Sequence, residues 1–576
     1  MCLCEPLPRY TSRLQALSDP PRRIVHFAVT CDAPCVPADL VLVHGRVHAV
    51  VAGAPDVEAV AVRDGRIAAL GSNDEIRDLV GPATEVIELD GGLVLPGFQD
   101  AHIHLAESGL ELLQCDLGES TSPAGHLAVI ARYAAEHPDD EWIVGGGWSM
   151  DDFGGPMPTR QLLDEAVPGR AVALTTRDGH SLWASTRALE LAGIGTSTPE
   201  PAGGVIEREA DGMPAGTVHE LALRLFDRVL PEPTQADRDE GFRRAQAIML
   251  GYGITACQEA NGWPAIVDTY ARAVERGELV LRLEGNLAWD SERGLEQLAE
   301  LAERRAGSGA GGMRMRGAKL FQDGVMENFT AGMLEPYLDG DSAPTENVGL
   351  SLYPPDELCR IVTALDADGF QVHIHALAER AVRESLDAIE SARRANGVRD
   401  ARHHLAHLQV VHPQDLPRFA ALDVVASVTP YWAVLSGYVQ DLTLPFVSEE
   451  VGRRMYPFGS LHRAGARLAF GSDWSVSTPD PLLQLEVAVE RKLPGASPAE
   501  TFLPGERLDL RTAIAAATHG SAYVNGLDAV TGTLEPGKLA DLVVLRGDIL
   551  AAHGPSPAQT SILLTMIEGE IVHDAR

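Results

Sequence analysis

The 576-residue chain is 45% hydrophobic and 22% charged, the balance of a folded protein rather than a disordered one. Its 82 acidic residues outweigh 47 basic ones to give a net charge of −35, which opposes nucleic acid and anionic membranes as partners. No run of about eighteen apolar residues occurs, which excludes a helical membrane span, and the length suits several domains or one large barrel with a smaller companion.

Residues 1–37 read as an N-terminal arm. They lack a charged start followed by an apolar core, so no secretory signal is expected and a cytoplasmic location is. Four of the seven cysteines, Cys2, Cys4, Cys31 and Cys35, fall in this arm. Their C-x-C and C-x3-C spacings match no strong zinc pattern, and reduced thiols are the expectation.

After the arm, ADLVLVHGRVHAV (38–50) and DVEAVAVRDGRIAALG (56–71) alternate apolar and polar residues around His44-Gly45 and Asp64-Gly65, the pattern of strands joined by tight turns. TEVIELDGG adds a third strand. The same chemistry returns in GTLEPGKLADLVVLRGDIL (532–550) and ILLTMIEGEIVHDA (562–575). Both ends are therefore expected to build one small β-sandwich, from residues 38–95 and 531–576, around an inserted middle.

In residues 96–530, strand-like runs alternate with helical stretches: AVALTT before STRALELAGI, GFQVHIHA before ERAVRESLDAIESARRA, RLAFGSD before DPLLQLEVAVERKL. This order predicts an α/β fold of parallel strands and crossover helices, a (β/α)8 barrel by length. A doubly wound sheet is the alternative, but no glycine fingerprint for a dinucleotide follows the first strand.

The first barrel strand is expected in LVLPGFQDAHIHLAESG. Residues i and i+2 of a strand point the same way, so His102 and His104 can reach one metal ion. QVHIHALAERA carries His373 and His375 in the same relation, ARHHLAHLQVV offers His403, His404 and His407, and RLAFGSDWS ends a strand at Asp473. Each histidine alone is an ordinary polar residue. Together they would converge on the C-terminal mouth of a barrel, where active sites of this fold lie.

Lys319, in RMRGAKLFQDG, is one of only three lysines among the 47 basic residues. A lysine nitrogen can lose its proton at moderate cost and a guanidinium cannot, so a lysine in an arginine-rich chain points to amine chemistry. A neutral amine can add carbon dioxide to form a carbamate, an anion able to bridge two cations.

The order LPGFQDAHIH, GAKLFQDG, HIHA, His407, GSD resembles the amidohydrolase superfamily of metal-dependent hydrolases. GGGWSMDDF, DGHSLWAS, GGVIEREADGMPAGTVHE and EPGKLADLVVL resemble the branch that contains N-substituted formamide deformylase. The resemblance covers residues 38–576. It implies a distorted (β/α)8 barrel with a flanking β-sandwich. It also implies a first metal on His102, His104 and Asp473, a carbamate of Lys319 bridging to a second, and His375 and His407 on that second metal. The N and O donors suit zinc first, with iron, manganese or nickel as alternatives. Two departures stand out: HALAE, with Ala378 and Glu379, replaces the usual HAIGD, and His404 and Ala406 occupy the places of an Arg-x-Glu pair.

The reaction so implied is hydrolysis of a C–N bond in a small-molecule amide, with Asp473 moving the proton. His180 would polarise the carbonyl or orient the substrate. Trp148 and Trp474, with other aromatics near predicted strand ends, suggest an apolar pocket for an N-substituted amide. Competing readings are a one-metal deaminase of a heterocycle, a hydrolase opening a cyclic amide, and a non-enzymatic protein retaining the fold. Enzymes of this kind often form homo-oligomers, although no interface is legible in the sequence.

Overall fold

Eight strands in the middle of the chain pair in sequence order, every neighbour parallel: β1 (Phe98–Ile103), β2 (Ile254–Gly262), β3 (Arg282–Ala288), β4 (Met313–Phe321), β5 (Gln371–Ala376), β6 (His404–His407), β7 (Val425–Val428) and β8 (Leu468–Phe470). The computed structural model describes residues 36–576 except Glu119, Gly155, Pro156, Ala202 and Ala310. Cys2, Cys4, Cys31 and Cys35, and the reading given to them, lie outside the described residues. Beyond β8 the Asp473 amide donates to the His102 carbonyl at 2.8 Å and the His104 amide to the Trp474 carbonyl at 3.0 Å, which joins the last strand to the first. Gly471 makes that approach possible, because a Cβ there would meet the His102 Cβ at 2.5 Å. The result is the (β/α)8 barrel.

The crossover helices follow their apolar spacing. Glu379–Asn396 buries Ala381, Val382, Ser385, Leu386, Ile389 and Ala392 on one face, carries Glu379 in its first turn and Arg393 and Arg394 in its last, and stops at Gly397 with φ 88°. Burying Leu386 and Ile389 stabilises the helix against the barrel by about 1.5–3 kcal/mol each.

At the chain ends, Leu93–Pro96 pairs antiparallel with Leu542–Leu545, so both termini contribute to one five-stranded sheet. A four-stranded sheet from Leu40–Val43, Ala59–Arg63, Arg66–Gly71 and Glu85–Glu88 shares its apolar core through Leu42, Val60, Val62, Val94, Leu542 and Met566.

AVALTT, read above as part of the barrel alternation, does not join it. Ala171–Thr176 lies in a separate six-stranded sheet, inserted between β1 and β2, with Cys115–Asp116, Trp142–Trp148, Ser181–Ala184, Gly204–Arg208 and Pro214–Glu220. The apolar run is the same in either setting. Its antiparallel partner Ser181–Ala184 and its parallel partner Trp142–Trp148 decide its place.

Candidate metal centre

Strand register builds the centre in rows. Lys319 on β4 pairs across to His373 on β5, and His373 to His404 on β6, so three basic side chains share one level of the barrel interior. All three are buried. Two residues further toward the mouth, His375 takes the same inward direction next to Phe321 and Ala406. His407 is one residue out of that alternation. Its left-handed backbone, φ 76°, breaks the alternation, and its ring stands 4.5 Å from that of His375. Asp473 is left-handed too, at φ 55°. Such conformations cost of order 1–3 kcal/mol in a non-glycine residue and are retained where the side chain must be aimed.

The carboxylate of Asp473 is the point of convergence. Its Oδ1 is 3.2 Å from His102 Nε2 and 3.4 Å from His104 Nε2, and its Oδ2 is 3.7 Å from His407 Nδ1. The i and i+2 imidazoles of β1 thus meet on one side, as the strand period requires. Donor atoms of His102, His407 and Asp473 lie within 4.8 Å of one another, close enough to share one ion. His407 Nδ1 is buried without a hydrogen-bond partner, a condition that coordination relieves. A set of imidazole nitrogens and one carboxylate fits a divalent transition ion.

Lys319 sits beside this group, its Nζ 3.4 Å from His102 Nε2. Burial pulls its amine down to about 7, against the opposing pull of Asp473 and Glu259. Burial likewise holds His102 at about 3 and His375 and His407 well below the ordinary imidazole range, which keeps their nitrogens free to ligate. Burial would lower His104 as well. There the hydrogen bonds to Asp473 and Glu107 prevail and raise it to about 10. Asp473, despite burial, is held well below the usual carboxylate range by His102 and its neighbours.

His375 is the least converged of the expected ligands. Its Nε2 lies 3.3 Å from the Gly324 carbonyl and 3.7 Å from Asp323. His180 reaches the centre from the inserted sheet, its ring 5.7 Å from that of His375. Its Nδ1 is 2.9 Å from Glu220, and although burial works against the charged ring, the Glu220 carboxylate raises it to about 9.

A cavity of about 520 Å³ opens beside the centre. Trp474, adjacent to Asp473, lines it, and so does Trp432, which stacks on His407 with the two rings within 6° of parallel. Trp148 does not line it, contrary to expectation. Its indole is fully buried, donates to the Leu174 carbonyl at 2.8 Å and packs against Phe153 and Trp183 in the core of the inserted sheet. The flanking Gly147 and Ser149 face the cavity instead, because side chains alternate along a strand end.

Several residues hold the centre in place in roles that the sequence reading did not assign. Asp100 Oδ1 accepts from the His102 and Ser472 amides, both at 3.0 Å, tying β1 to the loop after β8. His373 Nε2 is 3.0 Å from His102 Nδ1, and Asn286 Nδ2 backs His373 Nδ1 at 3.0 Å. Glu259 accepts from the Leu105 amide and from the Tyr270 hydroxyl beneath His104. Asp323 receives the amides of Gly332, Leu377 and Ala378, and Glu379, one of the departures noted above, is buried against Arg454 at 2.7 Å. Asp100 and His373 carried a local signal, each two residues before an expected ligand on the same strand.

The model of the amidohydrolase family matches residues 85–573. The chain belongs to the amidohydrolase family. It is 31% identical to Protein LONG AFTER FAR-RED 3 of Arabidopsis thaliana, over 93% of this chain and 90% of that one. It is 27% identical to N-substituted formamide deformylase of Arthrobacter pascens, over 93% and 98% respectively. An uncharacterized metal-dependent hydrolase from Pyrococcus horikoshii superposes with a TM-score of 0.70 at 25% identity, covering 90% of this chain and 99% of its own. This amidohydrolase is a metal-dependent hydrolase acting on carbon–nitrogen bonds of small molecules. No helix among the described residues is long and apolar enough to cross a membrane.

Proposed function

We propose that this amidohydrolase cleaves an N-substituted amide by water attack, on a centre of two divalent ions, zinc by the character of the donors. In this reading His102, His104 and Asp473 would hold one ion, His375 and His407 the other, and Lys319, as a carbamate, would supply an anionic ligand. The observation that carries it is the convergence of His102, His104 and His407 on Asp473. Ions bound there polarise the scissile carbonyl and make water nucleophilic at neutral pH.

The chain's own residues do the rest. The Lys319 nitrogen, neutral once burial has lowered its proton affinity, forms an N–C bond with carbon dioxide and loses a proton to water. Asp473 takes a proton from the attacking water as its oxygen bonds to the carbonyl carbon. It returns that proton to the nitrogen as the C–N bond breaks, leaving a carboxylic acid and an amine. His180, positively charged through Glu220, donates to the carbonyl oxygen and stabilises the charge that develops on it. Trp432 and Trp474 give the amine substituent an aromatic wall.

A one-ion centre is the second reading, favoured by the grouping of His407 with His102 and Asp473 and by the separate position of His375. Ion stoichiometry of the reconstituted protein separates the two. The activity is tested by screening the zinc-loaded enzyme against N-formyl, N-acetyl and cyclic amides with Asp473→Asn as control. Loss of the proton carrier should lower kcat by about 10²–10⁴, and turnover untouched by that substitution contradicts the mechanism.

A further inference from the structure

Five carboxylates line the cavity beside the metal centre, those of Glu111, Asp116, Asp151, Asp178 and Glu327, against the single guanidinium of Arg177. None of the five forms an ion pair with a cation among the described residues. Their hydrogen bonds come from neutral donors instead. Thr443 Oγ1 donates to Glu327 at 3.0 Å, and the Gly118 amide to Asp116 at 2.8 Å. The His180 amide donates to Asp178 at 2.9 Å, and the Ser149 hydroxyl to Asp151. Other acids of the chain are matched by arginines, as Asp239 is by Arg272 and Arg276, and Asp541 by Arg282, while buried Asp100 and Asp323 are held by backbone amides. The cavity thus gathers acidic side chains, four part-buried and Asp116 exposed, that no cation among the described residues pairs with.

Three further observations define what would supply the missing charge. Aromatic rings share the lining, from Tyr431, Trp432, Tyr438, Tyr456 and Trp474, and ring faces attract ammonium groups. Gln409, only 1% exposed, also lines the cavity beside Glu327, and its Nε2 is left without a well-formed hydrogen bond. That leaves an unused donor for a polar ligand atom. Finally, the donor group able to hold a metal ion is the one at His102, His407 and Asp473. The cavity carboxylates do not converge in that way among the described residues, so their spacing suits an extended organic cation rather than an inorganic one.

We infer that the cavity selects substrates whose amine portion carries a second, positively charged nitrogen, so that the amide cleaved is an N-acyl diamine or a close cationic relative. This inference rests on the proposed amide hydrolysis and specifies its substrate class. The ammonium group lies among the aromatic rings and carboxylates, and the acyl end lies toward Asp473. Burial holds Glu111 and Glu327 at about 7, and a bound cation draws both toward the ionised form.

The zinc-loaded protein is titrated with 1,5-diaminopentane and with the neutral isostere 1,5-pentanediol, at low and at high salt. In parallel, kcat/KM is measured for N-acetyl and N-formyl 1,5-diaminopentane against the N-hexyl amides of the same acids. The diamine is expected to bind about tenfold or more tighter than the diol and to lose most of that margin at high salt. Glu327→Gln and Glu111→Gln should each lower the cationic-to-neutral ratio of kcat/KM by about threefold or more. Equal binding of diamine and diol overturns the inference, as does a preference for the neutral amides that neither variant changes; in the latter case amide hydrolysis stands. Tight, salt-sensitive diamine binding with no amide cleaved leaves the charge selection standing and removes the proposed reaction.

Discussion

Replacing His373 tests whether the centre depends on the residues behind its ligands. His373 is fully buried, and its Nε2 meets His102 Nδ1 at 3.0 Å while Asn286 Nδ2 holds its other nitrogen at 3.0 Å. A ligating imidazole whose second nitrogen is hydrogen bonded is fixed in orientation and tautomer, and loss of such a partner lowers metal affinity by about 10–100-fold, or about 1.4–2.8 kcal/mol. His373→Phe keeps much of the volume and removes both hydrogen bonds. Asn286 retains its bond to the Glu259 carbonyl at 3.1 Å, so the main uncompensated group is His102 Nδ1, at a cost in stability of about 1–3 kcal/mol. Zinc affinity measured by competition with a chromophoric chelator should fall by that factor, and the urea midpoint should fall with it. His373→Gln, which can still hydrogen bond to His102, should recover much of both losses. Wild-type affinity in a folded Phe variant would refute the positioning role. Loss of a stoichiometric ion in both variants would make His373 a ligand instead.

Other substitutions probe separate parts of the site. Lys319→Arg keeps a cation but cannot form a carbamate, so the variant should retain at most one ion per chain and lose activity; two ions with full activity would exclude the bridge. Trp148→Ala should cost about 3–5 kcal/mol of stability while leaving KM unchanged, because the indole fills the core of the inserted sheet and not the cavity; a raised KM at unchanged stability would reverse that placement. His180 is raised from its ordinary 6.5 to about 9 by Glu220, and both side chains are mostly buried, at 17% and 11% exposure. The pair's contribution to the metal-free protein, at most about 3 kcal/mol, is therefore full below about pH 6.5 and lost as pH rises through about 9. The stability gap between wild type and Glu220→Gln should shrink across that window, and a constant gap would show that the ring does not titrate there.

Much of the barrel was legible because local covalent geometry is enough to specify it. The two-residue period of a strand puts His102 and His104 on one side whatever the rest of the chain does, and both meet Asp473 as that period requires. The scarcity of lysine marked Lys319 before any contact was known, since amine and guanidinium differ in chemistry rather than in position. While β2, β3 and β7 were not singled out, apolar runs flanked by turn residues located β1, β4, β5, β6 and β8. They could not say which sheet each run would join, and AVALTT joined the inserted one.

What tertiary structure alone decided lies between residues far apart in the chain. The left-handed backbone at His407 moves its imidazole out of strand alternation and toward Asp473, and nothing in LAHLQVV announces it. Trp148 and Trp474 are alike in composition and in nearness to strand ends, yet one fills a core and the other faces the cavity. The cavity's five carboxylates are drawn from separate segments, and their excess over the single Arg177 exists only once the fold gathers them. Period and side-chain chemistry are properties of a short stretch of chain. Convergence, burial and charge balance belong to the folded surface that several distant stretches make together.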